Sequence, residues 1–342
     1  MQLTKETELP EKFDTLIKPW FENSMISGFW KLDDGTSLHY RYAHHQEAIS
    51  IIVISSGRAE CAAKYAELIY DLYQNGHSVF IHDHRGQGLS TRLKENPQLG
   101  YITDFNQYVT DFKSIIGDVL VPMLYEKYAK AKQNKSNRNS SIPEQAYPPL
   151  HLLCHSMGSA IGALLVKSQP TLFSKAVFCS PMFGITTPIP SLIATMLVRF
   201  GVIYNKLRGR KTSYFFGHTD YIPTGFYKNR LMSSQVRYDI FRKTYAQQPE
   251  LQLGGATYEW IHASLVAMQE IREQASKISV PCLIVYSGAD TVVANEAIEQ
   301  VISDIKRCES ILITEALHEL IFEKDKFRVP ALTKILTYLS TP

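Results

Sequence analysis

The chain has 342 residues, 45% of them hydrophobic and 11% aromatic, with a formal net charge of +3. That length and apolar content supply a sizeable buried core plus an inserted element, and so small a charge gives no reason to expect a nucleic-acid partner. Five cysteines, Cys61, Cys154, Cys179, Cys282 and Cys308, are scattered with no C-x-x-C and no metal-ligand spacing, so they are expected to be reduced core residues, with neither metal nor cofactor required.

From Met1 to Glu8 the chain lacks the apolar segment of a signal peptide, and no run of ~18 apolar residues occurs anywhere, so a cytoplasmic location without a spanning helix is the expectation. A helical stretch around Leu16 to Phe21 leads into apolar alternation at Phe29 to Leu32 and Ser37 to Tyr42, with Asp34-Gly35 between them. That dipeptide is a hairpin signal, so the sheet should open with an antiparallel pair. Next come a buried strand, Ile51 to Ser55, a helix through Tyr65 to Tyr70, and a strand, Ser78 to His82. The segment Asp83-His84-Arg85-Gly86-Gln87-Gly88 lacks a Walker lysine and the spacing of a dinucleotide fingerprint. Asp83 and Arg85 there are expected to form an ion-paired turn of structural value. A long amphipathic helix should run from Phe105 to about Tyr128. Lys132 to Pro149, rich in Lys, Asn, Ser and Pro, reads as an exposed, mobile loop. The alternation of strands and helices is that of a mostly parallel sheet covered on both faces.

Chemistry enters at Leu152-Leu153-Cys154-His155-Ser156-Met157-Gly158, an apolar run broken by a serine among small residues. This reads as a nucleophile elbow, in which a strand turns sharply into a helix and holds the serine hydroxyl above the sheet edge. Cys154 stands where the G-x-S-x-G pattern has its first glycine, and Gly158 keeps the second. Two further breaks follow in the order of the α/β-hydrolase arrangement. Asp290 closes the segment Pro281 to Asp290, a short buried strand ending in a Gly-containing turn, and His318 follows the strand Ser310 to Thr314. Asp290 would fix the tautomer of His318, leaving its other nitrogen to take the proton of Ser156. A capping aspartate and a solvated histidine are the plainer readings of each residue alone, but three strand-end placements in the right order favour the triad. The backbone N–H groups of Met157 and Arg58 are the candidate oxyanion donors, the latter from the loop Ser56-Gly57-Arg58. A plain strand-to-helix turn fits the same loop.

Between the strand Lys175 to Cys179 and the acid strand the pattern is helical. The expected division is an α/β-hydrolase core over 1–183 and 275–342, with a helical cap over 184–274. Within the cap, the apolar run Leu192 to Tyr204 is interrupted by Arg199 and followed by Lys206, Arg208, Arg210 and Lys211. Such an element suits either contact with a lipid surface or a lid helix packed on the core, and one helix could do both.

The segments Asp83 to Gly88 and His155-Ser156-Met157-Gly158 together resemble the branch of serine α/β-hydrolases that contains monoacylglycerol lipases and lysophospholipases. Ser180-Pro181-Met182-Phe183-Gly184-Ile185, the stretch Pro249 to Tyr258 and the stretch His318 to Asp325 narrow the likeness to bacterial lysophospholipases, over nearly the whole chain. The resemblance implies hydrolysis of the remaining acyl ester of a lysophospholipid, with acyl transfer to another lipid as a side activity. It also implies peripheral association with the inner membrane. A monoacylglycerol lipase, another carboxylesterase or a serine aminopeptidase of the same framework is the alternative, and a non-catalytic binding module is disfavoured because all three triad candidates are present.

Overall fold

The computed structural model describes residues 1–135, 147–187, 191–207, 209 and 212–341. Eight strands form one sheet: β1 Ile26–Lys31, β2 Ser37–Ala43, β3 Ser50–Ser55, β4 His77–His82, β5 Leu150–His155, β6 Lys175–Cys179, β7 Cys282–Ser287 and β8 Cys308–Ile313. The spatial order is β1-β2-β4-β3-β5-β6-β7-β8. β2 is antiparallel to β1 and β4, and all other pairs are parallel. The hairpin turns at Asp34-Gly35 as expected, with Gly35 at φ 84° where L side chains are strained.

Helices α1 Leu9–Lys12 and α2 Lys18–Asn23 open the chain, joined by a wide turn at Phe13–Ile17. α3 Ala66–Gln74 covers β4, and α4 Asn106–Ile115 runs through a wide turn at Ile116–Leu120 into α5 Val121–Lys135. The long helix of the sequence is thus present and extends through Lys135, so Lys132 to Lys135 belong to it and not to a loop. Lys and Ala are good helix formers, which explains the extension; residues 136–146 of that expected loop lie outside the described residues. α6 Met157–Ser168 follows β5, α7 Ser191–Leu207, α8 Gln235–Gln247 and α9 Tyr258–Gln274 lie between β6 and β7, and α10 Asn295–Asp304 and α11 Asp325–Ser340 complete the layers.

β3, β4, β5, β6 and β7 are buried along their whole length, as strands covered on both faces must be. One face packs on α4, α6 and α9, through Phe112, Ile161, Leu165, Trp260 and Met268. The other packs on the amino-terminal helices, α3 and α11, through Ile17, Leu68, Ile69 and Leu332. Among the described residues no strand occurs between β6 and β7; α9 packs into the core through Trp260 and Met268, and α7 rests on α9.

Cys61, Cys154, Cys179 and Cys282 are buried and Cys308 half-buried, all as free thiols.

Several core histidines carry no charge partner. Burial pushes His77, His84 and His151 down to about 4, and His82 falls well below its usual value for the same reason. Their folded pKa values lie below the unfolded value of ~6.5, so their contribution is intact above that pH and is lost as pH falls towards about 4, by up to ~1.4 kcal/mol per unit for each histidine. We predict that the urea midpoint drops steeply between pH 7 and 5, and that His77→Gln shallows the slope. A midpoint unchanged over that range would contradict the assignment.

Candidate functional site

The register brings the carboxyl ends of the parallel strands to one edge, pairing Ser55 with Cys154, His155 with Cys179 and Ser287 with Ile313. Ser156 follows β5 at once, with φ 50° and ψ −118°, a region costly for a non-glycine residue. Its N–H donates to the Cys179 carbonyl at 3.0 Å, and its own carbonyl accepts from Ser159 and Met182 at 2.9 and 3.1 Å. The turn is possible because α6 starts hard against the neighbouring loop. A Cβ at Gly158 would lie 2.1 Å from the Ser55 carbonyl oxygen.

Cys154 fills the place of the missing first glycine, and the room comes from the helix: a Cβ at Gly162 would lie 2.4 Å from the Cys154 sulfur. Close packing of β5 and α6 is therefore kept with the glycine moved from strand to helix.

Ser156, His318 and Asp290, predicted from the strand ends, meet in one chain of hydrogen bonds. The carboxylate of Asp290 accepts from His318 Nδ1–H at 2.7 Å, so Nε2 is the acceptor for the Ser156 hydroxyl at 2.9 Å. The side chains of His318 and Asp290 are 5% and 0% exposed, so water hardly competes for either bond. Burial alone would raise the Asp290 carboxyl, but the bond to His318, the charge of that ring and the N–H groups of Val292 and Val293 outweigh it and hold the acid below its usual value. The aspartate is thus ionised at neutral pH. The N–H groups of Met157 and Arg58 donate to no acceptor among the described residues.

A second buried group surrounds the triad. Glu60 accepts from Gly57 N–H at 2.5 Å, Tyr65 hydroxyl at 2.5 Å and Lys64 at 2.6 Å, and Lys64 also donates to Glu319 at 2.7 Å. His155 donates through Nδ1 to Glu60 and through Nε2 to the His318 carbonyl, both at 3.3 Å. Both partners are acceptors only, so the His155 ring carries both protons. Burial opposes that charge, but the Glu60 carboxylate and its hydrogen bond prevail and raise the pKa. Glu60 is likewise held well below its usual value, since Lys64 and His155 outweigh its burial. The donor atoms of Glu60, His155 and Glu319 lie within 4.8 Å of one another, a spacing that could hold a metal ion, but the Lys64 ammonium already sits between the two carboxylates. Sequence reasoning missed this network. The four-residue spacing of Glu60 and Lys64, and the adjacency of His155 and Glu319 to triad members, were the available signals.

Asp83 and Arg85 brace the site without pairing with each other. Asp83 turns inward to accept from His39 Nδ1, Ala62 N–H and Leu89 N–H at 3.0, 2.7 and 2.9 Å. Arg85 pairs with buried Asp111 on α4 at 2.5 Å and with Asp34 of the hairpin turn at 2.9 Å. The expected ion pair between them is corrected to two separate anchors, because the turn after β4 sends the two side chains to opposite sides. On α7, Arg199 and Lys206 are exposed; Arg208, Arg210 and Lys211 lie outside the described residues. Val198, Gly201 and Asn205 are buried on the inner face of that helix, while Met196, Leu197, Phe200, Ile203 and Leu207 are exposed.

The relation between Cys154 and Gly162 is open to test. Gly162→Ala should destabilise by about 1–3 kcal/mol through overpacking, and adding Cys154→Gly should restore most of the loss in a urea titration. Equal stability of Gly162→Ala and wild type would refute the compensation.

The chain has relatives among known proteins. Residues 46–325 match the hydrolase family described as "Serine aminopeptidase, S33". The chain is 30% identical to lysophospholipase L2 of Escherichia coli K12 over 338 residues, covering 94% of this chain and 91% of that protein. It is 29% identical to the probable lysophospholipase L2 of Haemophilus influenzae, covering 89% of this chain and 88% of that one. A solved structure of a soluble variant of monoglyceride lipase from Saccharomyces cerevisiae superposes with a TM-score of 0.67 at 18% identity, over 94% of this chain and 97% of that one. The fold is that of the α/β-hydrolases.

Proposed function

We propose, for a chain that belongs to the "Serine aminopeptidase, S33" hydrolase family and is matched along nearly its whole length by lysophospholipase L2 proteins, that it is a lysophospholipase. It cleaves the acyl ester of a lysophospholipid, releasing a fatty acid and a glycerophosphodiester. The observation that carries the reading is the unbroken chain from Ser156 Oγ through His318 to Asp290.

In this mechanism His318 Nε2 takes the hydroxyl proton as Ser156 Oγ attacks the ester carbonyl carbon. Charge grows on the carbonyl oxygen, and the N–H groups of Met157 and Arg58 receive it. Asp290 stabilises the imidazolium and keeps the ring in its tautomer. Collapse expels the glycerol oxygen, which takes the proton from His318 and leaves an acyl group on Ser156. Water repeats the cycle to free the acid, and a lipid hydroxyl in place of water would give acyl transfer.

Delivery of such a substrate from a lipid surface is supported by α7. No helix among the described residues is long and apolar enough to cross a membrane. The outer face of α7 nonetheless exposes Phe200 at 68% and Leu207 at 81%, beside Arg199 and Lys206. Apolar area flanked by cations suits peripheral binding to an anionic inner-membrane surface.

Two experiments test the proposal. Purified protein should turn over lysophosphatidylethanolamine in preference to an aminoacyl anilide, and Ser156→Ala or His318→Gln should lower turnover by roughly 10⁴ to 10⁶ with the unfolding midpoint retained. Wild-type rates in Ser156→Ala would exclude the nucleophile. For the surface, Phe200→Ser with Leu207→Ser should weaken sedimentation with anionic vesicles at least ~10-fold, since burying one such side chain contributes about 1.5–3 kcal/mol. Unchanged sedimentation would leave α7 as an ordinary lid.

A further inference from the structure

Arg58 is half-buried, like Arg41, Arg92 and Arg272, none of which has an ion pair among the described residues, whereas the buried arginines are paired. Arg85, Arg237 and Arg328 each pair with carboxylates, through Asp111 and Asp34, Glu67 and Asp325, and Asp71 and Glu67. Among the described residues Arg58 has no ion pair, and it makes one hydrogen bond, from Nη2 to the Gly254 carbonyl at 2.7 Å. Its Nε–H is buried with no acceptor among the described residues, a cost in free energy, while the residue as a whole is half-buried. Lost hydration pushes the guanidinium down to about 10, so it still carries its charge at neutral pH.

Its position is what sets it apart from the other half-buried arginines. The backbone of Arg58 belongs to the loop after β3, where a Cβ at Gly57 would lie 3.1 Å from His155 Nδ1, beside the nucleophile. The side chain runs from there towards the cap segment. Its guanidinium lies 5.2 Å from the Trp260 ring centroid, and a Cβ at Gly100 would come within 2.5 Å of Nη2. One residue thus offers a candidate oxyanion donor at its backbone and an unpaired cation at its tip. The path of covalent bonds from an arginine's backbone nitrogen to its guanidinium carbon has the same length as that from the ester carbonyl carbon of a 1-acyl lysophospholipid to its phosphorus.

We propose that the Arg58 guanidinium binds the phosphodiester of the substrate headgroup while the Arg58 N–H faces the ester carbonyl oxygen, making this residue the one that separates lysophospholipids from neutral acylglycerols. Planar guanidinium suits two phosphate oxygens at once. The inference rests on the lysophospholipase reading and specifies which part of the substrate the site recognises.

The test compares lysophosphatidylethanolamine with a monoacylglycerol of equal chain length, both short enough to stay monomeric. Wild type should prefer the phospholipid, and Arg58→Met should cut that preference in kcat/KM by about 10- to 100-fold, mainly through KM. Arg58→Lys, which keeps the charge without the fork, should restore part of it. Separately, glycerophosphoethanolamine should inhibit wild type competitively and Arg58→Met far less. If Arg58→Met slowed both substrates by the same factor while wild type preferred the phospholipid, the headgroup role would fall and the lysophospholipase reading would stand. If wild type preferred the monoacylglycerol, that reading itself would fall.

Discussion

The backbone of Ser156 is the constraint on which the rest of the site depends. A serine at φ 50° and ψ −118° is strained by about 1–3 kcal/mol, and it stays there because both ends of the residue are tied. Cys179 accepts its N–H, and Ser159 and Met182 donate to its carbonyl. Those ties need β6 beside β5 and the start of α6 against the β3 loop, which in turn need Gly158 and Gly162 at the two closest approaches. The strain is thus met by the whole sheet, and the hydroxyl projects over the edge where the parallel strands end.

Around that point, a buried ion network makes one rigid unit of three loops. Glu60 holds the Gly57 amide, His155 lies between Glu60 and the His318 carbonyl, and Lys64 spans Glu60 and Glu319. Loop, elbow and histidine segment therefore cannot shift independently without stranding a buried charge, at a cost of several kcal/mol. The helices between β6 and β7 share in this order unequally. Arg237 of α8 is locked to Glu67 and Asp325, whereas α7 presents a broad apolar face to solvent.

Much of this was legible in the sequence. Strand ends were readable because buried parallel strands are continuous apolar runs, and the polar breaks in them, taken in the order of the α/β-hydrolase arrangement, pointed to Ser156, Asp290 and His318, which the structure joins by hydrogen bonds. The network around Glu60 was not readable, since its partners come together across 95 residues for His155 and 255 for the Lys64 bond to Glu319. Asp83 and Arg85 illustrate the opposite error: closeness in sequence suggested a pair, but side-chain direction in a turn depends on the tertiary packing that pulls Asp83 inward. Cys154 weakened the elbow pattern for a local reason, and the compensation lay eight residues on at Gly162, visible only once helix and strand are packed.

The central claim is that an acyl group passes through Ser156 on its way from lysophospholipid to water. Rapid acid quench during turnover of a 1-acyl lysophosphatidylethanolamine, followed by peptide mass mapping, tests it directly. The account predicts an acyl mass on the peptide bearing Ser156, present in wild type and absent from Ser156→Ala. An adduct on any other peptide, or turnover with no adduct at any quench time, would contradict it.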